Sequence, residues 1–256
     1  MSDLQRYRLD GRIALVNGGS RGIGAATAMA LANRGAHVLV SSRRLESSRR
    51  AAAEISDAGG HAEALSCHLG DLEQIDALFA QVRERYGRLD VLVNNGATNP
   101  YYGPILGTSR EAFAKTVDVN VRGYFYSTIG AIELMKATGR GSIVNVGSIS
   151  GVVPMHDQGI YSITKGAISA MTRAFAIETA ALGIRVNAVL PGYTVTRFSA
   201  ALTEDPARSA EALMRIPMRR FAQPQEIAEA IVHLASDAAS YTTGACLTAD
   251  GGYLAG

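Results

Sequence analysis

Ser148, Tyr161 and Lys165 are the residues of this 256-residue chain whose types and spacing could do chemistry together. A free phenol has a pKa of roughly 10 and is a poor acid or base near neutrality. A cation held beside it favours the phenolate and brings its proton toward working pH. Tyr161 and Lys165 stand four residues apart, so on a helix they share a face, one turn from each other. The serine adds a neutral hydroxyl. Such a set can exchange a proton with a substrate oxygen that the serine holds in place. Each residue alone has a plainer reading. Tyr-x-x-x-Lys occurs by chance in many helices, and a serine after a strand is more often a turn or cap residue.

The elements that must position these residues are legible around them. Ser142 to Val146 is apolar and β-branched and reads as a buried strand. Ser148 lies just past its C-terminal end, where open α/β sheets place their ligands. Ile160, Ile163, Ala167, Ile168, Met171 and Phe175 recur at helical spacing, which predicts a helix from Gly159 to about Leu182. At the chain start, Ile13 to Val16 is a short strand that runs into Asn17-Gly-Gly-Ser-Arg-Gly-Ile-Gly24 and an alanine-rich helix to about Asn33, stopped at Gly35. A strand, a Gly-rich turn and a helix together cradle a pyrophosphate: glycines allow close backbone approach, and the helix N-terminus offers free N–H groups. The glycine spacing here is G-x-x-x-G-x-G, and a plain turn before a glycine-packed helix is the alternative.

Further strands are predicted at Val38–Val40, Ala62–Leu69, Leu89–Val93, Ile184–Leu190 and Cys246–Ala249. Helices are predicted up to Ala58, from Asp71 to Tyr86 closed by Gly87, from Ser109 to Ala137 across Asn120, and from Pro224 to about Ser236. Residues 193–222 are mixed in character and read as a mobile segment. The alternation implies an α/β fold, a doubly wound parallel sheet with helices on both faces. Strands without polar alternation fit a sheet buried on both sides. No linker or repeat interrupts the pattern, so one domain is expected over 1–256.

Hydrophobic residues make up 47% of the chain, enough for a large core, and the net charge is +2 with cations dispersed. That balance gives no reason to expect nucleic acid as a partner. Cys67 and Cys246 form neither a disulfide framework nor a metal-ligand pattern, so no metal is expected. The first residues lack the apolar core of a signal peptide, and no apolar run is long enough to cross a membrane. A soluble cytoplasmic protein with no membrane partner is expected.

With these pieces in order, the chain resembles the short-chain dehydrogenase/reductase family in its single-domain, Rossmann-like form. The matching residues are Gly18, Gly22 and Gly24, Asn94-Asn95-Gly96, Asn120, Ser148, Tyr161 with Lys165, Pro191-Gly192 with Thr196, and Asp250-Gly251-Gly252. The resemblance covers about Leu9 to Gly252. It implies hydride transfer between a nicotinamide cofactor and a carbonyl or alcohol. Tyr161 would exchange the proton with the substrate oxygen, and Ser148 would hold and polarise that oxygen. Lys165 would lower the tyrosine's pKa and bind the nicotinamide ribose, and Asn120 would anchor a water behind Lys165 through its helix backbone. Gly18, Ser20, Arg21, Gly22, Ile23, Gly24, Asn95 and Gly96 would line the cofactor. Pro191, Gly192 and Thr196 would approach its nicotinamide end, and Leu69 its adenine. The chain departs from the family in three places: Asn17 stands for the usual Thr, Gly96-Ala97 reverses the usual order, and His68 stands for an Asp.

The end of the second strand sets the cofactor expectation. An acidic residue there selects NAD by binding the ribose 2′-hydroxyl. Here the chain reads Ser41-Ser42-Arg43-Arg44, with no acid before Glu46. Ser42 takes the carboxylate's place, and Arg43, helped by Arg21, can pair with a 2′-phosphate. NADP(H) is therefore expected over NAD(H), which arginine does not strictly exclude, and the enzyme is expected to work as a ketone reductase. An NAD(H)-dependent alcohol dehydrogenase is the alternative within the family, and a non-catalytic dinucleotide-binding regulator or a structural protein lies outside it.

Walls of the substrate pocket are expected from Thr98 to Tyr102, Ile149 to His156 and Tyr193 to about Met214. Their composition is apolar and aromatic, and His156 is the main polar exception, more simply read as a surface loop residue. A non-ionic ketone or secondary alcohol fits. The resemblance also implies a homotetramer built through 109–137, 159–182 and 245–250. Ile129, Ile132, Met171 and Phe175 make those helices more apolar than one core-facing stripe needs.

Overall fold

Short runs of Val, Leu, Ile and Ala line up as seven parallel strands in one sheet, in the computed structural model, which describes residues 3–199 and 206–256. They are β1 (Ile13–Asn17), β2 (His37–Ser42), β3 (His61–Ser66), β4 (Val91–Asn94), β5 (Gly141–Val146), β6 (Ile184–Pro191) and β7 (Cys246–Ala249). Their order is β3-β2-β1-β4-β5-β6-β7. The order reverses direction between β1 and β4, so a crevice opens at the C-terminal ends of those two strands.

Both faces of the sheet are covered. Ala14, Val16, Val38, Val40, Val91, Val93, Val144 and Val146 point to one side. There they meet α1 (Gly22–Asn33), α2 (Leu45–Asp57) and the last helix, Pro224–Ala235. Leu15, Leu39, Leu92 and Ile143 point to the other side, against α3 (Leu72–Tyr86), α5 (Gly123–Met135) and α6 (Gly159–Thr179). The smaller β-branched side chains face one layer and the longer ones the other. Burying each such side chain contributes roughly 1.5–3 kcal/mol. The doubly wound α/β architecture expected above is therefore the one observed.

Several boundaries follow local chemistry. Asp71 caps α3 by accepting from the Gln74 N–H at 3.2 Å, and Gly87 ends it at φ +65°. Strand β3 stops at Ser66, three residues before the predicted end, because the chain turns: the Asp71 N–H bonds back to the His68 carbonyl, and the His68 ring accepts from Gly70. Residues 193–222 contain α7 (Pro206–Met214), and the Pro224–Ala235 helix is α8. The part of the predicted mobile segment at 200–205 lies outside the described residues.

The predicted helix from Ser109 to Ala137 is observed as one helical run that widens in its middle. α4 (Arg110–Val117) runs through a wider π-helical turn over Asp118–Arg122 into α5, which begins at Gly123. The Gly123 N–H reaches the Asp118 carbonyl five residues back. A Cβ on Gly123 would lie 2.2 Å from the Leu69 carbonyl oxygen. Tight packing on the loop after β3 thus accompanies the widening, and Asn120 sits inside it, fully buried.

The apolar surplus of the long helices is also placed differently from the sequence expectation. Ile132 and Met171 belong to the core under the sheet. Phe175 packs partly against that core and meets the Phe125 ring at 5.1 Å. The outward apolar face is made by Phe113, Phe125, Ile129 and Ile177. Periodicity identifies an apolar stripe but not which side of a doubly apolar helix meets the sheet.

Candidate active site

Ser148 stands at the end of β5 in extended backbone and begins a short turn over Ile149–Gly151. Its Oγ accepts from the Ser150 N–H at 3.1 Å and donates to Ser150 Oγ at 3.2 Å. Gly151 brings this loop onto α6, because a Cβ there would lie 2.5 Å from the Lys165 carbonyl carbon. Tyr161 and Lys165 lie one turn apart on α6, both buried. Ser148, Tyr161 and Lys165, separate in sequence, therefore meet at the C-terminal edge of the sheet.

Lys165 Nζ donates to the Val146 carbonyl at 2.7 Å. It lies 5.6 Å from the Tyr161 ring centre and 5.5 Å from that of Tyr124, within reach of a cation–π interaction. Tyr124 hydroxyl donates to the same Val146 carbonyl at 3.4 Å. Sequence reasoning missed Tyr124, although it stands four residues beyond Asn120.

The electrostatics differ from the sequence expectation that Lys165 draws the phenol's pKa down. Burial holds the Tyr161 phenol above its ordinary value, and the Ser148 hydrogen bond opposes this. Burial lowers Lys165 to about 7. Removing both groups from water disfavours the phenolate and the ammonium alike.

Asn120 ties the site together from below. Its Nδ2 donates to the Thr98 carbonyl at 2.9 Å and to Thr164 Oγ1 at 3.1 Å, and its Oδ1 accepts from the Thr98 N–H at 2.8 Å. Thr164 Oγ1 in turn donates to the Tyr161 carbonyl at 2.8 Å. The loop after β4 is thereby fixed against α6.

The Gly-rich turn occupies the crevice between β1 and β4. Gly18 and Gly22 have φ of +73° and +56°. The Gly18 and Gly19 N–H groups donate to the Ser41 carbonyl at 2.8 and 3.0 Å, which joins the turn to the end of β2. Asn95 Nδ2 donates to the Gly18 carbonyl at 2.9 Å. Gly96 lies so close to Gly18 that a Cβ on Gly18 would be 2.5 Å from it. The reversed Gly96-Ala97 order thus places the smaller residue where the two backbones approach, with Leu69 Cδ1 2.9 Å from a Cβ built on Gly96. Thr196 comes back over the turn, its Cγ2 3.3 Å from a Cβ on Gly22. Pro191 ends β6, and Gly192 bonds to the Ala249 carbonyl at 2.9 Å.

The first turn of α1 has no side-chain cap and no acidic residue. Its N–H groups, with half-buried Ser20 and Ile23 alongside, suit an anion such as a pyrophosphate. Ser42 Oγ bonds to Ser48 Oγ at 2.9 Å and to the Arg44 carbonyl at 3.0 Å. Arg21 and Arg43 are exposed, and neither has an ion-pair partner among the described residues. The residues present fit a dinucleotide. One measurable consequence is steric. A Cβ on Gly24 would lie 2.1 Å from the Gly18 carbonyl oxygen and 2.6 Å from Asn95 Nδ2. Gly24→Ala is expected to cost about 1–3 kcal/mol, the range for overpacking, measured as a lower urea midpoint at unchanged slope.

Asn17, standing for the family's Thr, begins a buried ladder across the sheet. Its Nδ2 donates to Asn94 Oδ1 at 3.1 Å, and Asn94 Nδ2 donates to Asn145 Oδ1 at 3.0 Å. Among the expected pocket walls, His156 is exposed and has no hydrogen bond or ion pair among the described residues. Arg215, absent from the sequence expectations, stands at this side with Tyr193 and Tyr253. It lies just past the expected wall segment in a mixed stretch, and nothing in its spacing marks it.

Comparison with known proteins agrees with this geometry. Residues 18–254 match the family model described as Enoyl-(Acyl carrier protein) reductase. Dehydrogenase/reductase SDR family member 4 of Oryctolagus cuniculus is 36% identical, over 97% of this chain and 95% of its own length. Cis-4-hydroxycyclohexanecarboxylate dehydrogenase of Sinomonas cyclohexanicum is 40% identical, over 95% of this chain and 97% of its own. A gluconate 5-dehydrogenase from Burkholderia cenocepacia, solved in complex with NADP and tartrate, superposes with a TM-score of 0.95 at 32% identity, covering 99% of both chains. The chain belongs to the short-chain dehydrogenase/reductase family of oxidoreductases.

Proposed function

We propose that this protein is an NADP(H)-dependent oxidoreductase acting on a ketone or secondary alcohol, with ketone reduction as its working direction. The observation that carries the reading is the convergence of Ser148, Tyr161 and Lys165 beside the Gly18–Gly24 cradle. The nicotinamide supplies the hydride that reaches the carbonyl carbon. Tyr161 gives its proton to the carbonyl oxygen, which takes up negative charge as the hydride arrives. Ser148 Oγ holds that oxygen by a hydrogen bond. Burial keeps the Tyr161 phenol protonated, the state a reduction needs. Lys165, when protonated, faces the phenolate ring left behind and stabilises it, and it also binds the nicotinamide ribose. Asn120 supports this by fixing Thr98 and α6, and its backbone anchors a water behind Lys165.

Gly18, Ser20, Arg21, Gly22, Ile23, Gly24, Asn95 and Gly96 line the cofactor in this reading. Leu69 meets the adenine, and Pro191, Gly192 and Thr196 flank the nicotinamide. Ser42 and Arg43 receive the 2′-phosphate. The NADP in the B. cenocepacia relative supports the choice. Oxidation of NADPH by purified protein across a panel of ketones tests the reading. Activity with no carbonyl and no alcohol, at any cofactor, overturns it.

The same reading makes the whole chain one catalytic domain in the cytoplasm, where two free cysteines persist as thiols. Among the described residues no helix is long and apolar enough to cross a membrane. The outward face of Phe113, Phe125 and Ile129 supports a homotetramer with two-fold axes. Light scattering is expected to return about four times the 27.0 kDa chain mass. A mass near 27.0 kDa refutes the assembly.

A further inference from the structure

The three loops expected to wall the substrate pocket are apolar and aromatic, yet the folded chain brings a guanidinium to them. Arg215 follows α7 and lines one cavity with Tyr253, near the far end of the described chain. The Tyr253 ring meets the Tyr193 ring edge-on at 5.7 Å. Tyr193, Tyr253, Tyr102 and Arg215 lie within electrostatic reach of one another. Burial, reinforced by Tyr253, raises the Tyr193 phenol to about 12, so it remains a donor at working pH.

This group is connected to the catalytic serine by unbroken contacts. Tyr193 hydroxyl reaches Met155 Sδ at 3.4 Å, Ser150 Oγ reaches the same sulfur at 3.4 Å, and Ser150 meets Ser148 at 3.2 Å. Val153, on the loop that follows Ser148, lines a cavity of about 600 Å³ together with Met214, Arg215, Pro217, Arg219 and Tyr253. Leu254 and Gly256 complete its lining.

Charge and shape select the ligand. Arg215 pairs with Glu211 at 3.1 Å, and Arg219 lines the same cavity. Arg219 donates to the Leu213 and Met214 carbonyls, which holds its guanidinium at the cavity. The planar guanidinium fork matches a carboxylate, and a neutral phenol adds a donor without repelling it.

We infer that Arg215, with the hydroxyl of Tyr253, forms a carboxylate-binding subsite at the outer end of the substrate cleft, so that the substrate is a keto acid or hydroxy acid. This rests on the oxidoreductase reading above and revises the non-ionic substrate expected from loop composition. The apolar stretch from Val153 to Met214 takes the carbon skeleton. Ser148 and Tyr161 take the reacting oxygen at one end, and Arg215 takes the carboxylate at the other.

The test uses the holoenzyme with NADPH and matched pairs: 4-oxocyclohexanecarboxylate, levulinate and benzoylformate, each against its methyl ester. At least one acid is expected to exceed its ester about tenfold in kcat/KM. Arg215→Gln is expected to lower that value for the acid about thirtyfold, mainly through KM, and to leave the ester within about twofold. Arg215→Lys should recover part of the loss. Esters that match or exceed the acids throughout, or a variant that impairs acid and ester alike, overturn the subsite while the oxidoreductase reading stands. If neither acids nor esters turn over, the subsite is judged by calorimetry of the NADP-saturated protein. Benzoate must then bind about tenfold more tightly than benzamide, and Arg215→Gln must remove the difference; equal binding overturns it.

Discussion

Tyr161→Phe is expected to lower kcat by at least about a hundredfold, the range for loss of a positioned acid, with cofactor affinity and thermal stability nearly unchanged. Phe keeps the ring that faces Lys165 at 5.6 Å and the Phe198 ring at 5.7 Å, so packing survives. What disappears is the hydroxyl that the proposed mechanism uses as the acid for the substrate oxygen. No neighbour replaces it. Ser148 is tied to Ser150, Lys165 Nζ already donates to the Val146 carbonyl, and Tyr124 is sealed at 0% exposure. Single-turnover kinetics under saturating NADPH measure the effect on chemistry alone. A variant that turned over within a few-fold of the wild type would remove Tyr161 from the mechanism.

Most strands were legible as short apolar runs, and β7 matches its predicted span at Cys246–Ala249. The caps of α3 were legible because Asp71 and Gly87 act locally. What escaped depended on contacts between distant segments. The wide turn at Asn120 accompanies the packing of Gly123 on the Leu69 carbonyl, 54 positions away in sequence, and no propensity records that approach. Tyr161, Lys165 and Ser148 were legible as residue types at a spacing, but the sign of the tyrosine's shift was not. It depends on how completely the fold removes water, and burial at the site exceeds what a Tyr-x-x-x-Lys helix face implies. Arg215 escaped for the same reason: its partner Tyr253 lies 38 residues on and reaches it only when the chain folds back beneath Tyr193.

Arg43→Ala is expected to reduce kcat/KM with NADPH by about 1.5–3 kcal/mol, the range for a hydrogen bond to a charged group, and to leave NADH almost unaffected. The Gly18 and Gly19 N–H groups bond to the Ser41 carbonyl, so the phosphate cradle and the end of β2 are held as one rigid piece. Ser42 and Arg43 follow at once, and no carboxylate stands there to repel a 2′-phosphate. Ser42 is already engaged with Ser48 and the Arg44 carbonyl, which fixes its hydroxyl at the strand end. Arg43 is exposed and has no ion-pair partner among the described residues, so it can turn to a phosphate without first breaking another pair. Arg21, at the start of α1, is placed likewise and softens the loss, so Arg21→Ala combined with Arg43→Ala should cost more than either change alone. The alternative is a solvated helix start, in which Arg43 touches only water. Under it both cofactors respond equally to Arg43→Ala. A wild type that prefers NADH, or a variant impaired alike with NADH and NADPH, decides against the phosphate role and for a dehydrogenase that reads the free ribose through Ser42.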